Sequence, residues 1–175
     1  DSPHWLIRAA IFIAQDLILV VPLLIVALWL WGRHPHLPSQ RVLVLKTGMA
    51  LIYALAISGC VGVLVPHPRP FAINFGYQFL NHAANESYPS NHGTIVFTFA
   101  LAFICWHRVW AGMILRAVGC AIAWSRVYLG VHWPMDMLGG CLVGMLGCLA
   151  SNRAWHLYGE KLLQLTHQAY RVLFA

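Results

Sequence analysis

Residues 125–152 read SRVYLGVHWPMDMLGGCLVGMLGCLASN, a polar stretch followed by an apolar one. From Pro134 to Asn152 the segment is apolar except for Asp136 near its start and Ser151 and Asn152 at its end. In hydrocarbon such a segment must be helical, because its backbone N–H and C=O groups then find partners within the segment. Pro134 suits the first turn of that helix, where an N–H group would have no acceptor. The stretch therefore predicts a membrane helix that is entered from a polar loop.

The composition of the whole chain also indicates a membrane environment. Of the 175 residues, 60% are hydrophobic and 9% are charged, whereas a soluble domain carries about 25% charged residues. This balance excludes an ordinary soluble enzyme, a disordered tail and a disulfide scaffold. The net charge of +6 does not indicate a nucleic-acid partner, because the basic residues are spread among apolar runs. We predict one integral-membrane domain over residues 1–175, an all-α helical bundle with about five or six transmembrane helices.

Five apolar runs mark the expected helices. They are Trp5–Trp31, Val42–Val65, Ser90–Trp106, Trp110–Leu129 and Pro134–Asn152. The first run contains Asp16 and Pro22, which predict a tilt, a kink or an interfacial start. Residues 155–174 mix apolar and polar side chains, so we expect an interfacial or cytoplasmic helix there. Gly140 and Gly144 form a GxxxG pair, which favours close packing of the fifth helix against a neighbour.

The basic residues predict the orientation of the bundle. If the runs alternate across the membrane, eight basic residues fall on one face: Arg33, Arg41, Lys46, Arg108, Arg116, Arg153, Lys161 and Arg171. The opposite face carries three: Arg8, Arg69 and Arg126. Because Lys and Arg are enriched in cytoplasmic loops, the larger group predicts the cytoplasmic face. The smaller group then faces the periplasm or the cell exterior.

Polar side chains gather at this second, less basic face. One loop, residues 66–89, leads directly into the next apolar run, and the other covers residues 125–136. Two runs separate these loops, so both emerge at the same face of the membrane. Together they bring two arginines, two histidines, two serines and a carboxylate to one cleft: Arg69, Arg126, His92, His132, Ser90, Ser125 and Asp136. The count of spans therefore predicts that these residues meet in one cleft, and the distribution of basic residues predicts that this candidate active site is at the outer face.

The residue types in this cleft suit a phosphate. Ser90 precedes an apolar helical run and is expected to cap it, which leaves backbone N–H groups facing an anion. Arg69 and Arg126 supply forked donors that match phosphate oxygens. Asp136 follows His132 by four residues and is placed to hold one of its ring nitrogens, which fixes the tautomer.

Two other interpretations of the cleft need weighing. Taken singly, Arg126 is able to snorkel from a helix end, and His132 to bond a backbone carbonyl at the interface. Two histidines and a carboxylate also make an alternative metal set, but two arginines oppose a divalent cation and no HExxH motif is present. Ionisable groups at a membrane edge are costly, so their number here favours a functional cluster.

The spacing of these residues resembles the type 2 phosphatidic acid phosphatase family, whose members carry the motifs KxxxxxxRP, PSGH and SRxxxxxHxxxD. Here the first motif ends in Arg69-Pro70, the second reads Pro89-Ser90-Asn91-His92, and the third is complete as Ser125-Arg126…His132…Asp136. Two positions depart from the family. The lysine of the first motif falls on Gly62, and Asn91 replaces the glycine of the second. His67 is the nearest candidate to take over part of the role of the lysine.

Other segments are similar to one subgroup, the bacterial undecaprenyl pyrophosphate phosphatases of the bacitracin-resistance type. They are Phe71 after Arg69-Pro70, YPSNHGT, and SRVYLGVHWPMDMLGG. The resemblance implies an inner-membrane hydrolase that takes one phosphate from a polyprenyl pyrophosphate lipid, so that the carrier is reused in peptidoglycan synthesis. Its partners are then this substrate and membrane lipids. Glu86, just upstream of the second motif, is either a further site residue of this subgroup or a solvated loop carboxylate.

The resemblance also implies a mechanism through a phosphohistidine. His132 attacks the terminal phosphorus while Asp136 orients it. His92 protonates the leaving lipid phosphate and then activates water. The remaining motif residues hold the phosphoryl oxygens: Arg69, Arg126, Ser90, Ser125 and the backbone near Asn91. Neither a metal nor another cofactor is expected.

Three other functions stay open at the level of sequence. The same site would serve a phosphatase of another lipid phosphate, such as phosphatidylglycerol phosphate or phosphatidic acid. It would also serve a transferase that passes the phosphoryl group from the carrier lipid to lipid A. A different class is an inactive lipid-binding membrane protein, for which the missing lysine is the one argument.

Overall fold

The computed structural model describes residues 2–30 and 37–174, and these residues form helices and connecting loops without a strand. Six α-helices follow one another: α1 His4–Gln15, α2 Val20–Leu30, α3 Leu37–Leu64, α4 Asn91–Trp106, α5 Val109–Tyr128 and α6 Pro134–Phe174. Short 3-10 turns lie at Leu17–Leu19 and Pro70–Ile73. The prediction of an all-helical membrane bundle is confirmed.

Three helical segments are long and apolar enough to cross a membrane. They are His4–Leu30, Ser39–Leu64 and Pro134–Thr166, and α4 is a shorter apolar helix. The first of them contains the predicted kink, because α1 ends at Gln15 and the 3-10 turn separates it from α2. Pro22 lies in the first turn of α2, where its missing N–H removes a bond to the preceding turn. Trp31, the predicted end of this run, lies outside the described residues.

The helix expected over residues 155–174 is present, but it continues the helix of the fifth apolar run. Helix α6 continues from Pro134 to Phe174, a single helix of 41 residues, so residues 155–174 are not a separate helix. The linking residues Asn152, Arg153 and Ala154 include neither proline nor glycine, and nothing in them ends a helix. At 1.5 Å per residue α6 is roughly 60 Å long, about twice the thickness of the hydrocarbon core.

Helix α4 lies at the centre of the bundle and packs against α3, α5 and α6. The predicted GxxxG contact is present: a Cβ added to Gly140 would lie 2.7 Å from the backbone nitrogen of Thr94. A Cβ added to Gly144 would lie 2.8 Å from the hydroxyl oxygen of Thr98. The absence of side chains at these two positions therefore lets α6 approach the backbone of α4.

This packing brings four helix ends together at one end of the bundle. Helices α3 and α5 end there, and α4 and α6 begin there. The backbone N–H of Ser90 donates to the carbonyl of Asp136 over 3.0 Å, which ties the start of α4 to the first turn of α6. The two polar loops predicted to share a face therefore meet above the bundle.

Candidate active site

Ser90 caps α4, as the sequence predicts. Its hydroxyl oxygen accepts a hydrogen bond from the Gly93 N–H over 3.3 Å, and the residue is fully buried. The N–H groups of Asn91 and His92, the first two residues of α4, have no acceptor within their own helix. The cap therefore fixes a helix start whose positive end suits an anion.

Asp136 holds His132 from the first turn of α6. Its Oδ2 lies 3.1 Å from Nδ1 of His132 and also accepts from the backbone N–H of Trp133 over 2.8 Å. The Ser87 hydroxyl donates to the same oxygen and lies 3.3 Å from Nδ1 of His132. Three donors on one oxygen suit an ionised carboxylate, because only that form is an acceptor throughout.

Arg69 fixes the proton of the His132 ring. Its Nη1 lies 3.0 Å from Nε2 of His132. A guanidinium has donors but no acceptor, so Nε2 must carry the lone pair and Nδ1 the hydrogen. The Nδ1–H then points at Asp136, in agreement with the carboxylate contact. His132 thus carries its lone pair on Nε2, the atom that a nucleophilic histidine uses, and in this structure the lone pair accepts from Arg69.

Protein acceptors surround the guanidinium of Arg69. Nε and Nη2 donate to the side-chain oxygen of Asn85 over 3.0 and 2.8 Å, and Nη2 also donates to the Glu86 carbonyl over 3.2 Å. Nη1 donates to the carbonyl of Val131 over 2.9 Å in addition to His132. Arg69 therefore joins the loop before α4 to the loop before α6, and a phosphate oxygen reaches it by replacing one of these bonds.

Arg126, in contrast, has hydrogen-bond donors without an acceptor among the described residues. It is 2% exposed, and Nη1 donates to the carbonyl of Ala14 over 3.3 Å. Its Nε and Nη2 are buried and have no partner among the described residues. A buried cation is costly unless it is paired and hydrogen-bonded. These two unused donors point to an anionic ligand at this position.

The electrostatics of the cluster keep His132 neutral. Burial lowers the pKa of His132 to about 4; the hydrogen bond to Asp136 opposes this change, whereas Arg69 and Arg126 favour it. Burial also lowers the pKa of Arg69, and Asp136 acts in the opposite direction. At neutral pH the imidazole is therefore a free base beside two guanidinium groups.

The other predicted site residues lie at different distances from this centre. His92 is half-buried in the first turn of α4 and interacts electrostatically with Arg126 and His132. Asn91 is exposed, and its side-chain oxygen accepts from the Ser58 hydroxyl over 3.1 Å. Ser125 is fully buried, and its hydroxyl donates to the carbonyl of Ile122 over 2.8 Å, within α5.

The accessory candidates hold the loops together. The Glu86 carboxylate accepts from the backbone N–H of His67 over 3.0 Å, and both residues are exposed. The His67 ring packs edge-on against Trp133 with 6.0 Å between ring centroids. Gly62, where the family motif has lysine, lies near the C-terminal end of α3, and an added Cβ there would lie 3.4 Å from the Tyr88 carbonyl. His67 is thus packed on Trp133 rather than placed beside His132.

The sequence did not identify three residues of the cluster. Ser87 and Asn85 lie in the loop before the second motif, and loop position alone does not distinguish them from solvated polar residues. His82 approaches His132 with 6.3 Å between ring centroids. Burial lowers the pKa of His82; the carbonyl of Ala83 opposes this change, and Arg69 and Arg126 add to it. The distances among the described residues, rather than any sequence pattern, reveal these three.

His132 also forms part of the wall of an open cavity of about 410 Å³. Aromatic side chains from the loop before α4 and from the region between α5 and α6 line the same cavity: Phe75, Tyr77, Phe79, Tyr128 and Trp133. A site that joins buried cations and a free imidazole to an apolar, aromatic cavity suits an amphiphile with an anionic head. Within the described residues, no group of three His, Cys, Asp or Glu side chains is arranged to hold a metal ion.

Comparison with known proteins places the chain among lipid phosphatases. It is 58% identical over 175 residues to YbjG of Escherichia coli (strain K12), whose name assigns it provisionally as an undecaprenyl-diphosphatase; the match covers 100% of this chain and 86% of YbjG. It is 30% identical to the undecaprenyl-diphosphatase BcrC of Bacillus subtilis (strain 168), over 78% of this chain and 68% of BcrC.

Two solved structures share the fold. Aquifex aeolicus LpxE superposes with a TM-score of 0.69 at 22% identity, over 87% of this chain and 88% of that one. A transmembrane PAP2-type phosphatidylglycerolphosphate phosphatase from Bacillus subtilis superposes with a TM-score of 0.57 at 19% identity, over 91% of this chain and 79% of that one. The sequence pattern of the PAP2 superfamily matches residues 43–159, the segment that carries the whole cluster described above. The chain therefore belongs to the PAP2 superfamily of membrane phosphatases.

Proposed function

We propose that this protein hydrolyses undecaprenyl pyrophosphate to undecaprenyl phosphate and inorganic phosphate. The observation that carries the proposal is the pairing of an unprotonated Nε2 on His132 with two buried guanidinium groups, one of which has unused donors. This arrangement suits attack on a phosphoryl group. The names of YbjG and BcrC support undecaprenyl pyrophosphate as the substrate that carries this phosphoryl group.

The first step is attack of His132 Nε2 on the terminal phosphorus. The bond from phosphorus to the bridging oxygen breaks, and His92 gives its proton to the leaving lipid phosphate. The imidazole then carries phosphorus on Nε2 and hydrogen on Nδ1, with a positive charge that the Asp136 carboxylate stabilises across the 3.1 Å contact. In the second step His92 takes a proton from water and the oxygen of that water attacks phosphorus. The bond from phosphorus to Nε2 breaks, which returns the lone pair to His132 and releases inorganic phosphate.

The phosphoryl oxygens need donors throughout both steps. Arg126 supplies its two unpartnered nitrogens without breaking any existing bond. Arg69 supplies the Nη1–H that points at His132 in the free site, since the attacking lone pair is then used for phosphorus. The N–H groups at the start of α4 complete the set. Removal of the Arg69 contact thus accompanies activation of the nucleophile.

The aromatic cavity beside His132 is the proposed binding site for the lipid chain. Its volume of about 410 Å³ holds the first isoprene units, and its rings supply apolar contact for them. The remaining chain extends into the bilayer. The product keeps one phosphate and the same chain. We expect it to bind more weakly than the substrate, because it has lost the terminal phosphoryl group.

We infer that the site faces the periplasm or the cell exterior of a bacterial plasma membrane. The end of the bundle with His132 lies opposite the end where Lys46 contacts Asn152, and the second end carries most of the basic residues. The positive-inside rule then directs the site outward. There the enzyme returns the carrier lipid to the monophosphate form used in cell-wall synthesis.

Labelled substrate tests this function directly. Protein purified in detergent receives undecaprenyl pyrophosphate with ³²P in the terminal phosphate, and the released label is measured for the wild type and for His132→Ala, His92→Ala and His156→Ala. We expect His132→Ala to lose at least about 10³-fold in kcat. His92→Ala should accumulate label on the protein that survives alkali and is lost in acid, as phosphohistidine is. The exposed His156 lies at the other end of α6 and serves as the matched control.

Three outcomes contradict the proposal. Near-normal hydrolysis by His132→Ala removes the nucleophile assignment. A higher kcat/KM for phosphatidylglycerol phosphate or phosphatidic acid moves the substrate to another lipid phosphate. Label that passes to added lipid A rather than to water assigns a transferase.

A further inference from the structure

Lys46 lies at the end of the bundle opposite the active site. It is on α3, about 24 Å along the helix from Gly62, and it is partly buried. Its Nζ donates to the side-chain oxygen of Asn152 over 2.7 Å and lies 4.4 Å from the centroid of the Trp106 ring. No carboxylate of a described residue lies within 4.0 Å of it. This cation therefore has polar and aromatic neighbours but no anionic partner within the described part of the chain.

Two cavities adjoin the Lys46–Trp106 pair. One, of about 500 Å³, has Lys46 and Trp106 in its wall and reaches Ser39 near the start of α3. The other, of about 260 Å³, begins at Trp106 and Asn152 and reaches Leu101 of α4 and Met145 of α6. The first opens toward the end of the bundle, and the second runs toward its middle along apolar side chains. Together they offer a cavity for a polar head beside a groove for a chain.

The surrounding charge selects the kind of head group. Three further basic residues belong to this end of the described bundle: Arg41, Arg108 and Arg153. Glu160 is the one carboxylate in α6 beyond Asn152. A zwitterionic head group carries a cation that finds little to bind here, whereas an anionic head group meets Lys46 and its basic surroundings. Charge complementarity therefore favours an anion.

We propose that this end of the protein binds one anionic membrane phospholipid. Its phosphodiester lies at Lys46 in the larger cavity, and one acyl chain runs along the groove beside Leu149 and Met145. An ammonium has three N–H groups and Asn152 takes one, which leaves donors for phosphate oxygens. This site is separate from the phosphatase site and holds a lipid that is not turned over.

Binding measured without turnover tests the proposal independently of the enzymatic reaction. Native mass spectrometry in detergent compares phosphatidylglycerol with phosphatidylcholine of the same chains, on the wild type, Lys46→Met and the control Lys161→Met. Lys161 is exposed on α6 and lines neither cavity. We expect the wild type and the control to prefer phosphatidylglycerol, and Lys46→Met to lose about fivefold in affinity for it, the effect of one basic residue of about 1 kcal/mol.

A second variant keeps the test valid if Lys46→Met does not fold. Leu149 is 58% exposed and lines the smaller groove. Leu149→Trp should therefore fill the groove and weaken the binding of phosphatidylglycerol, while the Lys46 ammonium stays in place. Equal affinity for the two lipids in the wild type overturns the proposal, as does unchanged affinity in both variants. Stronger binding of undecaprenyl phosphate than of phosphatidylglycerol, sensitive to Lys46, also overturns it by assigning the site to the enzymatic product.

Discussion

The Nη1 of Arg69 lies 3.0 Å from Nε2 of His132, so in the free protein a guanidinium covers the lone pair to which the proposed mechanism assigns the attack on phosphorus. The same guanidinium holds Asn85 and the carbonyl of Val131. One residue thus keeps the nucleophile in the correct tautomer and links the two loops that form the site. An incoming phosphate takes one hydrogen bond from Arg69 and, by doing so, uncovers Nε2.

Replacement of Arg69 by lysine tests this double task. A lysine keeps the charge but has three donors on one atom, and it cannot bridge Asn85, Val131 and His132 together. We expect Arg69→Lys to lose at least about 100-fold in kcat/KM and to unfold at a lower temperature than the wild type. Steady-state kinetics and thermal unfolding in detergent measure both effects. Arg8→Lys, an exposed position on α1, is the control; activity of Arg69→Lys within threefold of the wild type contradicts the assignment.

Under the proposed mechanism Ser87 is a positioning residue, because it contacts both His132 and Asp136. Its hydroxyl donates to Asp136 Oδ2 and lies 3.3 Å from Nδ1 of His132. Partners of this kind typically contribute 10- to 100-fold, so Ser87→Ala should lower kcat by about that factor and change KM little. Thr98→Val removes another fully buried hydroxyl, bonded within α4 to the carbonyl of Thr94. Equal losses in the two variants imply a general packing effect and contradict the positioning role.

Ser125→Ala distinguishes two roles of the Ser125 hydroxyl, a contact to phosphate and a hydrogen bond within α5. The third motif assigns Ser125 to phosphate, whereas its hydroxyl donates to Ile122 within α5. A hydroxyl with its hydrogen engaged is a poor phosphate donor, so we expect a change in kcat/KM of less than about fivefold. A larger rise in KM for the substrate supports the phosphate contact that the motif implies.

The neutral state of His132 predicts how stability depends on pH. Its pKa of about 4 in the folded protein lies below the value of about 6.5 in an unfolded chain. The unfolded state therefore binds the proton first, and stability decreases as the pH falls from about 6.5 toward 4. The thermal midpoint of the wild type should fall more steeply over this range than that of His132→Gln. Parallel curves for the two proteins contradict a buried neutral imidazole.

Alanine at Gly140, where α6 packs closely on α4, and alanine at Gly59, where there is open space, should change stability in opposite directions. A Cβ at Gly140 would lie 2.7 Å from the Thr94 nitrogen and 3.0 Å from the Ser90 carbonyl, so Gly140→Ala must displace the start of α4 and lower both stability and activity. A Cβ at Gly59 of α3 has nothing within 4 Å. Gly59→Ala should leave activity unchanged and raise stability by about 0.5–1 kcal/mol. Thermal unfolding and phosphate release measure the two; equal stability changes contradict the contact.

Much of this architecture was predictable from single residues. Pro134 and the apolar run behind it mark the start of α6, and Ser90 marks the start of α4, because caps and helix-start prolines act locally. The approach of Arg69 to His132 also follows in outline from the span count. What the sequence did not reveal is the continuation of α6 beyond Asn152, because no local signal distinguishes a long helix from two adjoining ones.

The loop residues were predictable only in part, for a physical reason. Asn85 and Ser87 act through contacts with residues distant in the chain, Arg69 and Asp136, and those distances depend on how two loops fold against each other. A polar loop residue has the same appearance in sequence whether it is solvated or bonded to a catalytic group. His67 and Glu86 show the converse, since proximity to a motif made them candidates and the fold joins them to each other.

The unused donors of Arg126 predict a conflict between stability and function. The residue is 2% exposed, and two of its nitrogens have no partner among the described residues, so its charge destabilises the empty site. Arg126→Met should raise the thermal midpoint by a few degrees in phosphate-free detergent and lower kcat/KM at least about 10³-fold. Inorganic phosphate or orthovanadate should raise the midpoint of the wild type and of the exposed control Arg8→Met, but not that of Arg126→Met. A lower midpoint for Arg126→Met together with an undiminished response to phosphate would show that Arg126 supports the fold and does not bind the anion.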